Sequence, residues 1–168
     1  MSLKTLEGDN TRPTTEKVKE AVFSALQFEI EGRRVLDLFA GSGQMGIEAL
    51  SREARSCTFV DSDKGANKII KENLEKTGLS KKAKVVLGES IAFLKTSIEV
   101  FDIAFLDPPY DTDLLEKALD KIDMNLAEGG VVVCEHPFKK EMPTEIHSLK
   151  MYRQYKYSKT AVTVYRKG

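Results

Sequence analysis

Two short motifs in this sequence carry residues that could do chemistry. The stretch 37-DLFAGSGQMG-46 holds three glycines in the spacing G-x-G-x-x-G, and 107-DPPY-110 joins a carboxylate to two prolines and a tyrosine. Glycines with this spacing let the backbone approach a ligand that contains a nucleoside. Asp61, 20 residues after Gly41, can accept hydrogen bonds from both ribose hydroxyls. The first motif therefore predicts a nucleoside site without saying which nucleoside.

Asp37 separates two classes of ligand. It precedes Gly41 by four residues, so its carboxylate should lie beside the glycine loop. A dinucleotide would bring a pyrophosphate there, which an unpaired carboxylate repels, whereas the ammonium and sulfonium of S-adenosylmethionine would be attracted. The alternative is that Asp37 only fixes the local turn. The predicted cofactor-binding residues are Asp37, Phe39, Ala40, Gly41, Ser42, Gly43 and Asp61.

Glu89 has two interpretations of similar weight. It follows a predicted strand and could accept a hydrogen bond from the amino group of an adenine, which would make it a further cofactor-binding residue. It could instead be an acid of the first helical turn, favoured there by the helix dipole.

The motif 107-DPPY-110 offers acceptors and a flat ring. Two prolines remove two backbone donors and stiffen the loop, so carbonyl oxygens remain as acceptors. The Asp107 carboxylate and the Pro108 carbonyl could accept both hydrogens of an exocyclic amino group and stabilise developing positive charge on its nitrogen. Tyr110 could stack on a base that has been flipped out of its helix. We predict Asp107, Pro108, Pro109 and Tyr110 as catalytic residues, with Tyr110 also binding substrate.

The elements that position these motifs alternate between strand and helix periodicity. A first helix is predicted after 11-TRPTT-15, with Thr14 or Thr15 as its cap. The later helices are predicted near 45–52, 63–76, 90–97 and 112–125. The predicted strands are 33–39, 57–61, 84–88, 101–107 and 130–136, followed by a hairpin of 148–157 and 160–166 with its turn at Ser158-Lys159.

This alternation predicts an α/β fold with a mostly parallel sheet, helices on both faces and an antiparallel C-terminal hairpin. Ligands of such sheets bind beyond the carboxyl ends of the strands, where both motifs, Asp61 and Glu89 should converge. We predict a single domain over residues 1–168, with an N-terminal segment and helix in 1–28 and the cofactor-binding and catalytic core in 29–168.

Composition excludes several classes of protein. The chain has 168 residues, 26 Lys or Arg and 26 Asp or Glu, so any contact with nucleic acid must come from a local patch. Residues 150–168 hold six Lys or Arg, four tyrosines and no acid, which suits RNA or a solvated sheet edge equally. No apolar run is long enough to span a membrane, the two cysteines fall in strand-like runs, and the histidines show no ligand spacing. We therefore expect a cytoplasmic monomer without metal.

The residues resemble a known family. In order along the chain, the Asp37–Gly43 loop, Asp61 and 107-DPPY-110 look like class I S-adenosylmethionine-dependent methyltransferases that modify exocyclic amino groups of bases. The segment 12-RPTTEKVKEAVF-23 followed by 37-DLFAGSGQMGIEALSR-52 is more specific and is similar to bacterial methyltransferases of guanine N2 in small-subunit (16S) ribosomal RNA. The resemblance covers about residues 5–166.

The resemblance implies a Rossmann-like, seven-stranded sheet, S-adenosyl-L-methionine as cofactor, and ribosomal RNA or the assembling small ribosomal subunit as partner. Arg12 and Thr14 match the N-terminal motif of the family and are predicted to bind substrate. Family members usually begin with a basic, glycine-containing segment before this motif; if that segment binds RNA, this chain should bind cofactor normally and methylate poorly.

Three other functions remain open from the sequence. A DNA adenine-N6 methyltransferase shares D-P-P-Y, but the chain has little room for a target-recognition segment. An NAD-binding oxidoreductase would explain the glycine spacing and is opposed by Asp37. A non-catalytic module that retains the cofactor fold is opposed by the intact Asp107.

Overall fold

A computed structural model describes residues 13–168, with side chains from residue 16 onward. Five α-helices in this range cover the sheet. The first begins at Pro13, so Thr14 and Thr15 lie inside its first turn and the predicted threonine cap is wrong. Proline suits this position because its ring presets the helical φ and the first turn needs no backbone donor. The helices are α1 (Pro13–Ala25), α2 (Gln44–Ser51), α3 (Lys64–Thr77), α4 (Ser90–Thr96) and α5 (Leu114–Lys121).

Eight strands in residues 13–168 form one sheet. The first five match the predicted buried strands, because their runs of Val, Ile, Leu and Phe can be covered on both faces. The predicted hairpin forms with its turn at Ser158-Lys159. The strands are β1 (Arg34–Asp37), β2 (Ser56–Asp61), β3 (Ala83–Leu87), β4 (Phe101–Leu106), β5 (Leu126–Pro137), β6 (Glu145–Ile146), β7 (Leu149–Tyr157) and β8 (Thr160–Lys167).

The strand order is β3-β2-β1-β4-β5-β8-β7-β6, in which β1 to β5 are parallel and the last three antiparallel. The predicted α/β fold and its seven-stranded, mostly parallel sheet are confirmed, and the two-residue strand β6 is an addition at the edge. The chain crosses from one side of β1 to the other between β3 and β4. Such a reversal opens a crevice at the carboxyl ends of β1 and β4.

Apolar side chains form one core on each face of the sheet. On one face, α1, α2 and α3 bury residues such as Phe23, Leu50 and Ile70 against the strands, and on the other α4 and α5 bury Leu94 and Leu119. Both cysteines are buried and free. No helix in residues 13–168 combines the length and apolar composition needed to cross a bilayer.

Both ends of α3 are fixed by local chemistry. Asp63 caps α3, because its side chain accepts a hydrogen bond from the Gly65 amide, 3.0 Å away. Gly78 ends the same helix with φ of 73°, a left-handed conformation that glycine adopts without steric cost. The position of α3 behind the glycine loop is therefore specified by its own sequence.

Candidate active site

The loop between β1 and α2 packs tightly against the sheet. Gly43 has φ of 83° and donates its amide to the Ala40 carbonyl at 2.8 Å, which closes the turn into α2. A Cβ atom on Gly46 would lie 2.3 Å from the Phe59 ring. Gly46 is thus required for close packing of helix on sheet, as the third glycine of such motifs often is.

Asp37 lies beneath this loop. Its side chain is only 4% exposed and accepts a hydrogen bond from the Gly46 amide at 3.1 Å. Burial raises the pKa of Asp37 to about 7; the Gly46 hydrogen bond opposes this rise, and the negative charge of Asp61 adds to it. The side chain fixes the loop, in agreement with the turn-fixing alternative. Binding of a methionine ammonium stays a prediction.

Asp61 connects the second strand to the glycine loop. Its two carboxylate oxygens accept from the Gly41 amide and the Asp63 amide, each at 2.9 Å. The residue also lines the cavity beside the loop. The structure therefore places Asp61 where ribose binding was predicted and gives it a further task, which is to hold Gly41 in position.

Glu89 is the N-cap of α4. Its carboxylate accepts from the amides of Ile91 at 2.9 Å and Ala92 at 3.0 Å, and the Ile91 hydrogen bond is the main reason that its pKa lies below the ordinary value. Both sequence interpretations find support, because Glu89 is a helix-terminal acid and also lines the cavity. The predicted contact with adenine remains untested.

These segments enclose a cavity of about 430 Å³ at the switch point of the sheet. That volume falls within the range of small-molecule sites, whereas a second cavity between α1 and β7, of about 220 Å³, falls below it. Among the predicted residues, Ala40, Ser42 and Gly43 are not part of the lining, nor are Asp37 and Tyr110. Seven predicted residues do line it: Phe39, Gly41, Asp61, Glu89, Asp107, Pro108 and Pro109.

The loop 107-DPPY-110 forms the far wall of the cavity. Asp107 and Pro109 are exposed and Pro108 is buried. Tyr110 turns away from the cavity, and its hydroxyl lies 3.3 Å from Thr160 Oγ1 at the start of β8. The loop 107–110 is therefore connected to the tip of the C-terminal hairpin.

Glu135 is a site residue that the sequence interpretation missed. Its carboxyl is hydrogen-bonded to that of Asp107. Although Asp107 opens onto the cavity, protein crowds its carboxyl, and this loss of water is the main cause of its raised pKa, followed by the charge of Glu135. The signal in the sequence was an acid in the otherwise apolar run 130-GVVVCEH-136.

The two predicted RNA contacts cannot be compared with the structure. Arg12 lies outside the described residues, and so does the side chain of Thr14. Within residues 13–168, no group of three or more His, Cys, Asp or Glu side chains is arranged to hold a metal ion.

The fold, together with relatives of 30% identity or more that are named methyltransferases, makes this chain a class I S-adenosylmethionine-dependent methyltransferase. The chain belongs to the family described as conserved hypothetical protein 95, which matches residues 1–166. The relatives are named as methyltransferases, which argues against the oxidoreductase and the non-catalytic module.

Several relatives, among them one from Bacillus subtilis and one from Escherichia coli, span most of the chain. It is 42% identical over 171 residues to "Putative rRNA methyltransferase YlbH" of Bacillus subtilis, covering 99% of this chain and 93% of that protein. It is 32% identical over 158 residues to the ribosomal RNA small subunit methyltransferase D of Escherichia coli, covering 93% and 79%.

One solved structure shares the fold at low sequence identity. It is the 16S rRNA N2 G1207 methyltransferase RsmC of T. thermophilus in complex with AdoMet and guanosine. The TM-score is 0.77 at 21% identity, over 97% of this chain and 45% of that one.

Proposed function

We propose that this protein transfers the methyl group of S-adenosylmethionine to the N2 amino group of a guanine in small-subunit ribosomal RNA. The observation that carries the proposal is the position of Asp107 and Pro108, on the wall of the cofactor-sized cavity. The names of the two relatives support ribosomal RNA as the substrate class. The guanine amino group rests on the resemblance of the N-terminal motif and on the chemistry of 107-DPPY-110.

The cofactor supplies an electrophilic methyl group, and the chain binds and orients both reactants. Asp61 holds the ribose hydroxyls and Glu89 accepts from the adenine. Asp37, beneath the loop, attracts the ammonium of the methionine. The rest of the cofactor packs along the glycine loop, whose shape is set by Phe39, Ala40, Gly41, Ser42 and Gly43.

At the opposite wall, Asp107 and the Pro108 carbonyl accept the two hydrogens of the amino group. This arrangement stabilises positive charge as it develops on the nitrogen and aims the lone pair at the methyl group. A guanine reaches this wall only after leaving its stack. Tyr110 would have to turn from Thr160 toward the cavity to stack on the base, and that contact would recover about 1–3 kcal/mol. Arg12 and Thr14 are expected at the same rim.

The basic end of the chain supports RNA as the partner. Arg166 pairs with Glu29, and Lys167 with Asp123. Lys156 and Lys159, by contrast, are exposed and form no ion pair with any acid in the described part of the chain. Lys156 Nζ lies 5.0 Å from the centre of the Phe138 ring. Because Thr160 contacts Tyr110, these two lysines flank the catalytic loop, where phosphates next to the target guanine would pass.

The proposal is tested by product analysis. Unmethylated 16S ribosomal RNA and 30S particles are each incubated with the protein and S-adenosylmethionine labelled in the methyl group, then digested to nucleosides. We expect labelled N2-methylguanosine from at least one of the two. Labelled N6-methyladenosine, or label in a DNA control and not in RNA, would overturn the substrate assignment.

Removal of the two lysines at the hairpin tip is expected to weaken RNA binding selectively. Lys156→Ala/Lys159→Ala should lower RNA affinity by roughly tenfold at 0.1 M salt and reduce the slope of log K against log salt by about 1.4, the value for two lost phosphate contacts to a single strand. Affinity for S-adenosylmethionine should not change. Filter binding at several salt concentrations measures both quantities for RNA.

A matched control removes the same charge from α3. Lys68 and Lys71 are exposed on that helix, and Lys68→Ala/Lys71→Ala should leave the slope within experimental error of wild type. Equal loss in both double variants would mean that RNA responds to overall charge rather than to the hairpin tip.

A further inference from the structure

Glu135 occupies an unusual place for a glutamate. It lies near the end of β5, after three buried valines and a buried cysteine, and its own side chain is half-buried. Within residues 13–168 it forms no ion pair with a Lys, Arg or His. A carboxylate that loses water without gaining a cation destabilises the fold unless it is protonated or otherwise paired.

The register of the sheet explains where the side chain goes. Leu106 of β4 is paired with Cys134 of β5, so Asp107, the first residue after β4, lies beside Glu135 of β5 and on the same face of the sheet. The two carboxyls are hydrogen-bonded to each other, and a proton must lie between them because two ionised carboxylates offer only acceptors.

Groups around the pair disfavour ionisation of both carboxyls. Asp37 on β1 adds negative charge near Asp107, and β8 contributes the uncharged Val162 opposite Glu135. The hollow on the other side of the loop is bordered by Tyr110, His136 and Lys140. Lys140 is paired with Glu116 of α5 and so compensates little of this charge. Burial and mutual repulsion raise the pKa of Asp107, and burial raises that of Glu135.

We propose that Glu135 is a positioning residue for methyl transfer, which holds Asp107 through a shared proton so that the free oxygen of Asp107 faces the amino group of the substrate. This role rests on the proposed function of the site. One oxygen of Asp107 is committed to Glu135, and this restricts rotation of the carboxyl. The other oxygen can then accept an N–H hydrogen bond without first having to be oriented.

The pair also provides a destination for the surplus proton. Methylation forms the N–C bond and breaks the C–S bond, whose electron pair remains on sulfur, and the nitrogen must then lose one hydrogen as a proton. As the N–H bond breaks, an O–H bond forms on Asp107, so the pair passes from one proton to two and from a charge of −1 to neutral. Water takes the extra proton once the product has left.

Glu135→Gln tests the role because it preserves shape and removes charge. The glutamine amide can donate to Asp107 at every pH, and the loss of a neighbouring carboxyl should lower the pKa of Asp107. We expect the acidic limb of the pH profile of kcat to move to lower pH by about one unit or more. At neutral pH, kcat should fall roughly tenfold because the pair no longer shares the proton. The affinity for S-adenosylmethionine should stay within twofold.

Two further variants separate the effect of Glu135 on Asp107 from a general change of charge. Glu135→Ala, which also removes the orientation, should lower kcat by roughly 100-fold. Glu128→Gln removes an exposed carboxylate near the opposite end of β5 and should leave the pH profile unchanged. If the acid limbs of Glu135→Gln and wild type coincide, Glu135 has only a structural role and the proposal is wrong.

A measurement without substrate separates this proposal from the proposed function. Carboxyl carbons labelled with ¹³C in Asp and Glu are titrated by NMR in the cofactor-free protein, with Asp107→Asn used for assignment. We expect coupled, two-step titration of Asp107 and Glu135 in wild type and a single step at lower pH for Asp107 in Glu135→Gln. Independent single-step titration in wild type would overturn the pairing, even if the protein methylates guanine.

Discussion

Asp107→Ala is expected to lower the rate of methyl transfer by about 10³-fold while leaving affinity for S-adenosylmethionine within a few-fold of wild type. Asp107 stands on the wall opposite the glycine loop, so its loss should affect the acceptor rather than the cofactor. An oriented acceptor that stabilises charge in the transition state is worth a factor of roughly 10² to 10³. Loss of proton acceptance places the alanine variant at the upper end of this range.

Single-turnover kinetics with RNA in excess measure the rate, and calorimetric titration measures cofactor affinity. Asp107→Asn serves as a comparison because its amide oxygen can still accept one N–H hydrogen bond. We expect it to retain more activity than alanine and to lose the acid limb of the pH profile. If cofactor affinity falls together with the rate in both variants, Asp107 chiefly holds the cofactor or the loop.

Asp37→Asn is expected to weaken cofactor binding by at least about tenfold and to stabilise the unliganded protein above neutral pH. The reason for weaker binding is the loss of a negative charge beneath the loop that would attract a cationic ligand. The asparagine oxygen can still accept from the Gly46 amide, so the turn should survive. The variant therefore separates the two interpretations of this residue.

The sign of the stability effect follows from the pKa. The pKa of Asp37 is about 7 in the folded protein, compared with an ordinary value of 3.8. Between these values the folded state binds more protons than the unfolded state, so the free energy of unfolding decreases as the pH rises through this window. A difference of about three pKa units limits this decrease in the free energy of unfolding to about 4 kcal/mol. Half of that decrease corresponds to roughly 4–8 °C in Tm.

Thermal melts at pH 5 and pH 8 test the predicted change in stability, and calorimetric titration of S-adenosylmethionine tests the predicted change in cofactor affinity. The variant should gain more in Tm over wild type at pH 8 than at pH 5. Asp63→Asn is a suitable control, since it removes an exposed carboxylate close to the same loop. Unchanged cofactor affinity in Asp37→Asn would assign Asp37 to the turn alone.

The sequence predicted most elements of this fold because hydrophobic periodicity and strong stop signals coincide. Gly78 marks the end of α3, and the Ser158-Lys159 turn marks the end of β7 and the start of β8. The beginning of β5 was predicted four residues late, since Glu128 and Gly129 interrupt the apolar run, and Gly129 has φ of 77°. The two-residue strand β6 has no periodicity of its own and forms only because β7 offers a free edge.

The position of the candidate site could be predicted from the sequence, but part of its chemistry could not. Residues that follow parallel strands must meet at one edge, so the convergence of Asp61, Glu89 and Asp107 was accessible from the sequence. The burial of Asp37 could not be predicted, because it depends on how closely α2 packs on Phe59. The partnership of Asp107 with Glu135 depends on the register between β4 and β5, which no local pattern specifies.

The hairpin that ends the chain makes the distribution of charge along the sequence uneven. Its last 19 residues carry a charge of +6 and the remainder −6, so net neutrality conceals a concentration of positive charge. Arg166 and Lys167 are paired with acids, whereas Lys156 and Lys159 lie at the hairpin tip beside Tyr110, where a polyanion would attract them and turn the molecule before contact. Orientation during diffusion raises the rate of productive encounter, and added salt shortens the distance over which it acts.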